Sequence, residues 1–157
     1  MRRTSIITTT LLASTALAAG FSGGASAKHE ATQLSCALEL VTTSPPPNGT
    51  HSGGVECPEP FGSGTHVSAF TVTPTGTGTG SIAATFTNSY HRGTASGTAT
   101  MTFTATSPTN LTYDGTVTYT GGTRKFKHVA GGGTIHCTST DGGAHKSCTV
   151  DSVLTGI

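Results

Sequence analysis

Seven histidines, four cysteines and one short basic run are the groups in this 157-residue chain that could do chemistry. His136 and His145 are the pair best placed to share a metal, since they fall on one face of a single hairpin. In the register that hairpin requires, however, His145 sits opposite Thr140, four residues along from His136. At ~3.3 Å per residue the two lie roughly 13 Å apart, too far for one zinc ion. No H-x-H or C-x-x-C spacing occurs, so neither a metal nor another cofactor is expected. Acid–base catalysis by paired carboxylates has no support either. Glu39, Glu56, Glu59, Asp114, Asp141 and Asp151 fall on different strands and turns. A G-x-S-x-G elbow is absent, and no catalytic residue is assigned. The basic run Arg124, Lys125, Lys127 and His128 reads either as a solvated turn or as a patch for an acidic polysaccharide.

The remaining candidate is a binding site. His66, Ser68, Phe70, Phe86, Asn88 and Tyr90 alternate along two neighbouring strands, with Tyr119 beside them. All fall on the face expected to point inward. An apolar floor with a few polar groups near a mouth is the usual make-up of a ligand site. The same pattern also arises wherever the polar ends of strands reach water.

The elements that would position these groups are strands. Residues 66–119 read as four strands joined by three hairpins. Around the turn at 75–80, Phe70 is expected to meet Phe86, Val72 to meet Ala84, and His66 to meet Tyr90. Around Arg92-Gly93, Phe86 is expected to face Ala99, Ala84 to face Met101, and Ile82 to face Phe103. Around 107–109, Phe103 meets Tyr113, Ala105 meets Leu111, and Ala99 meets Val117. A one-residue slip would turn a strand's whole apolar set to solvent, so the shared face supports the fold.

Two further hairpins flank this ladder. Strands at 34–41 and 51–57 are separated by Pro45-Pro46-Pro47-Asn48-Gly49, which cannot continue a strand. Cys36 and Cys57 lie symmetrically about that turn, in the register that pairs Leu38 with Val55. Strands at 132–140 and 146–155 turn at Asp141-Gly142-Gly143. There Cys137 pairs with Cys148 in the register that joins Ile135 to Val150. Of the three connectivities open to four cysteines, Cys36–Cys57 and Cys137–Cys148 agree with both turns and both apolar faces. No free thiol is then left as a nucleophile. Eight sequential antiparallel strands make an all-β fold, an eight-stranded up-and-down barrel that leaves no open edge; a β-sandwich is the alternative. The inward set is expected to include Leu38, Phe70, Val72, Ile82, Phe86, Met101, Phe103, Tyr113, Val117, Ile135 and Val150. Several inward positions are small, among them Gly53, Ala84, Gly97, Ala99 and Gly115. These either leave a cavity or let the strands close it.

Residues 1–27 read as a secretory signal peptide. Arg2 and Arg3 precede a Thr-diluted apolar run that is too short to span a membrane, and Ala25-Ser26-Ala27 fits the cleavage site. Residues 28–33 would be a flexible N-terminus and 34–157 a single barrel domain. Without Arg2 and Arg3 the formal charge of +1 becomes about −1, which gives no footprint for nucleic acid or an anionic membrane.

The segment 121–134 resembles the Gly-Gly-Thr-Gly-x-Phe-x-Gly-Ala-x-Gly-x-Gly signature of the allene oxide cyclase and dirigent barrel superfamily. Gly121, Gly122, Thr123, Phe126, Gly131 and Gly133 match it. Arg124 stands at a usual glycine, and Lys127-His128-Val129 replaces a run of small residues. The resemblance implies a barrel in which this segment links two late strands. It also implies metal-free chemistry in a barrel pocket, although the family's catalytic residues find no positions here. Small secreted bacterial proteins carry similar barrels. A weaker resemblance is to the apoproteins of enediyne chromophores, whose short cysteine loops do not match the separation of Cys36 from Cys57. The function expected is that of a secreted, non-enzymatic barrel binding a small apolar molecule. The alternatives are an extracellular structural or cell-surface protein, a role compatible with oligomerisation, and a dirigent- or cyclase-like activity.

Overall fold

The computed structural model describes residues 30–157. The signal peptide expected at 1–27 lies outside them. Eight strands follow one another: β1 (Thr32–Ser44), β2 (Asn48–Glu56), β3 (Ser63–Gly76), β4 (Thr79–Tyr90), β5 (Gly93–Ala105), β6 (Leu111–Gly122), β7 (Ala130–Ser139) and β8 (His145–Thr155). Each pairs antiparallel with the next, and β8 returns to β1 to close the barrel. No sheet edge remains, which decides between barrel and sandwich. β1 runs from Thr32 to Ser44, beyond the expected 34–41 at both ends, so Thr32 and Gln33 of the expected flexible N-terminus belong to the barrel. No helix among the described residues is long and apolar enough to cross a membrane.

Alternation drives the closure. Along β1, Leu34, Cys36, Leu38 and Leu40 are buried while their neighbours are exposed. Phe70, Ile82, Phe86, Tyr113, Val117, Ile135 and Val150 join them in the core, with Val72, Met101 and Phe103 packed against it. Both disulfides form as expected, Cys36–Cys57 and Cys137–Cys148. Two such bonds point to an oxidising or extracellular setting.

Registers hold in three hairpins and differ in two. Leu38 faces Val55, Phe103 faces Tyr113, and Ile135 faces Val150, as expected. Between β3 and β4, however, Phe70 faces Ala84 rather than Phe86, and His66 faces Asn88 rather than Tyr90. Gly76 pairs with Thr79 across the two-residue turn Thr77-Gly78, and an irregularity between Pro74 and Gly76 absorbs Thr75. Gly78 has φ 71°, a conformation that the turn needs and glycine adopts freely. Between β4 and β5 the turn is His91-Arg92, so that Phe86 faces Gly97 and Ile82 faces Met101. Arg92 thereby escapes positive φ, and Gly93 takes it instead at 141°. Both slips are of two residues. An even slip keeps every side chain on its face, so the inward set survives.

Candidate functional site: a barrel sealed at one end and open at the other

The two barrel ends are built from different loops. One end carries the loop after β2, the turn after β4 and the segment between β6 and β7. That last segment includes a 3-10 turn, Arg124–Phe126. Phe61 and Phe126 stack there with ring centroids 4.3 Å apart, and both meet Tyr90 edge-on. Phe126 and Val129 are almost completely buried, as is Leu154. This end is plugged. The basic residues Arg124, Lys125, Lys127 and His128 are exposed on the outside of the plug. The mouth expected near His66 and Tyr90 is therefore closed. Phe61 and Phe126 reach in from loops, which strand alternation does not describe.

The opposite end carries the turns after β1, β3, β5 and β7. It opens into a pocket of about 370 Å³, walled by Pro45, Pro46, Phe70, Val72, Ile82, Phe103, Leu111 and Tyr113. Lys146 and His51 lie at its base. Below them is a second, small chamber of about 40 Å³. Of the residues singled out in the sequence, His66, Ser68, Phe86, Asn88 and Tyr119 line this inner chamber. Phe70 belongs to the outer pocket, and Tyr90 to neither. A chamber of that size admits a few waters but no drug-sized ligand, given that about 10–15 Å³ suffices for one water.

Glycines explain why the chamber is small. A Cβ at Gly53 would run into the Glu39 carbonyl, one at Gly97 into the Thr118 carbonyl, and one at Gly115 into the Thr100 carbonyl. These positions bring strands together and do not leave space. The room lies instead beyond Ile82, where the strands end and the loops line the opening without filling it.

Lys146 and His51 are the residues that sequence reasoning missed. Lys146 has the parity of Cys148 and Val150 on β8, and His51 that of Val55 on β2, so alternation was the available signal. Both are buried. The Lys146 ammonium donates to the Gly143 carbonyl at 2.6 Å, to Thr42 Oγ1 at 3.0 Å and to His51 Nε2 at 3.1 Å. It also lies 5.5 Å from the centre of the Tyr113 ring. Because Nε2 accepts, the His51 proton is on Nδ1, which donates to Ser68 Oγ at 3.2 Å. His51 stacks on Phe70 at 4.2 Å between centroids. Burial, then the Lys146 charge, then His66 lower its pKa to about 3, so it is neutral. Burial likewise lowers Lys146 to about 8, against the opposing pull of Asp141. Deeper in, His66 donates from Nδ1 to Asn88 Oδ1 at 2.7 Å, and burial lowers its pKa as well. Tyr119, buried beside the chamber, is pushed up to about 12. The interior thus has a polar wall, from Lys146 through His51, Ser68, His66 and Asn88. It faces an apolar wall of Ala99, Met101, Val117, Ile135 and Val150.

The other candidate groups are apart. His136 pairs with Asp114 and His145 with Asp141, each on the exposed surface. The segment 121–134 does link two late strands, and its Phe126 forms part of the plug.

The chain is thus a disulfide-bonded eight-stranded barrel with one open end. No protein-family model matches it, and neither does any curated protein. A solved structure described as a pyocyanin demethylase is similar at 11% identity, with a TM-score of 0.42 over 78% of this chain and 99% of that one. At that level the similarity says nothing about ligand or activity.

Proposed function

We propose that this is a secreted barrel that binds a small, mainly apolar molecule at its open end without transforming it. The observation that carries this reading is the asymmetry of the ends. One is sealed by stacked aromatics, while the other holds an apolar-walled pocket of about 370 Å³. That volume falls within the roughly 300–1,000 Å³ of small-molecule sites. Such a site needs walls that exclude water and a few polar groups that fix orientation, and Lys146, Tyr113 and Thr42 are those groups. The chamber beneath would hold water and polar contacts and would not admit the ligand's body. Native mass spectrometry of the protein from culture medium, beside an apolar-ligand thermal-shift screen, tests the reading. Val72→Trp places an indole in the pocket wall. The expected result is a bound or stabilising compound whose effect is lost in Val72→Trp. No retained compound and no shift with any apolar probe would end the proposal.

A further inference from the structure

The base of the pocket holds a charge that the protein leaves without a carboxylate in contact. Every acceptor on the Lys146 ammonium is neutral: a carbonyl, a hydroxyl and an imidazole. Asp141 is the acid in the pocket lining, but its oxygens are occupied elsewhere. Oδ1 accepts from the Ser139 hydroxyl and the His145 backbone N–H, and Oδ2 contacts the His145 ring. A lysine kept out of water and given only neutral partners keeps much of its desolvation cost. The cost falls when a carboxylate from outside arrives at the same place.

Resting on the pocket reading above, we infer that the ligand is an amphipathic monocarboxylate, its acid on the Lys146 ammonium and its apolar body against Phe70, Val72, Ile82 and Phe103. Thr42 makes room for it. Its hydroxyl already donates to the Gly143 carbonyl at 2.7 Å, so it can cease to accept from Lys146 and remain hydrogen-bonded. A contact to a neutral hydroxyl is then exchanged for one to a carboxylate, which meets the ammonium with an opposite charge. Phe70 is held flat by His51, whose other ring nitrogen is tied to Ser68. The wall and the charge are therefore set by one connected group. Tyr113 lines the wall and presents its π face to the same ammonium.

Calorimetric titration of the mature protein with octanoate, octanol and octylamine tests this. Methyl resonances of Val72, Ile82 and Leu111 report whether each probe enters the pocket. The expected order is octanoate first, about tenfold tighter than octanol, with octylamine weakest; tenfold corresponds to about 1.4 kcal/mol for replacing a neutral acceptor by a carboxylate. Lys146→Met keeps the unbranched apolar stem, removes the charge and should bring octanoate to the level of octanol, while Lys146→Arg should keep the preference. Equal binding of octanoate and octanol by the unaltered protein overturns the inference and leaves the apolar pocket standing. A preference that persists in Lys146→Met overturns it too. Failure of all three probes, with no methyl shift, overturns the inference and the pocket reading together.

Discussion

The two ends of this barrel are made by the same strands and yet do opposite things. At one end Phe61, Phe126 and Val129 reach inward from loops and complete the core around Tyr90 and Leu154. At the other, the loops are the proline run 45–47, a Thr-Gly turn, the polar turn 106–110 and a glycine-rich turn, and none carries a large apolar side chain across the opening. An eight-stranded barrel is just wide enough to be filled by its side chains or to hold one small ligand. This chain does the first over most of its length and leaves space for the second only beyond Ile82. What separates the filled end from the open one is therefore set by the loops and not by the strands.

The largest effect expected from this contrast is at the plug. Phe126 is fully buried and stacks on Phe61. Phe126→Ala should cost about 3–5 kcal/mol, the range for a buried aromatic cut to alanine. Denaturant unfolding measures it. A cost below about 1 kcal/mol would mean that this end is not packed in solution, and the contrast between the ends would fail.

The disulfides come next. Cys36–Cys57 closes a separation of 21 residues near the plug, and Cys137–Cys148 one of 11 on the inner face of the last hairpin. Removing either by paired Cys→Ala change should cost about 3 kcal/mol, chiefly through the freed unfolded chain. Peptide mapping without reductant should recover these two linkages alone; a fragment joining Cys36 to Cys137 would undo both hairpin registers.

How much of this was legible in the residues follows from what alternation can and cannot record. The strand count, both disulfides and the inward face could be read because period-two burial and turn chemistry are local. The β3–β4 and β4–β5 registers could not be read. Thr75 is absorbed by an irregularity, and the tight turn His91-Arg92 hands its strained φ to Gly93; neither leaves a mark on which residues are apolar. Lys146 and His51 obey the alternation, but a charged residue on an inward parity reads as a strand end until the neighbours that satisfy it are in place. The location of the mouth was hidden for another reason. Phe61 and Phe126 lie far apart in sequence and meet only when the barrel closes.

A smaller effect distinguishes the ends by pH. His51 is neutral in the fold because burial and Lys146 depress its pKa to about 3, against 6.5 in the unfolded chain. The unfolded chain thus takes up a proton between those values and the native chain does not. Stability contributed by the neutral ring is complete above pH 6.5 and is lost as pH falls towards 3. The change between pH 7 and 5 should be on the order of 1 kcal/mol. His66, on β3, shifts in the same direction and adds to it. Lys146, on β8, acts higher: with its pKa about 8, against 10.5 unfolded, stability should rise with pH across that interval. Urea unfolding at a series of pH values, in the original protein and in His51→Gln, separates the acid-side contribution. A profile unchanged by His51→Gln would remove His51 from the account and leave the open end without its buried polar base.

The smallest effect expected is also the one that tests the open end most directly. Leu111 lies on the rim of the outer pocket, half-buried, with space already in front of it. Cutting a fully buried leucine to alanine typically costs about 2–5 kcal/mol, because a cavity is left that its neighbours cannot fill. Here the removed atoms faced an existing opening, and water can occupy what they vacate. Leu111→Ala should therefore change stability by less than about 1 kcal/mol, mostly as lost transfer free energy, while widening the pocket for bulkier apolar probes. Unfolding measured beside Phe126→Ala makes the comparison internal to one protein. A cost at Leu111 as large as that at Phe126 would mean that the loops of this end fold over the strands in solution and fill the pocket. The barrel would then be plugged at both ends and would have no room for a ligand.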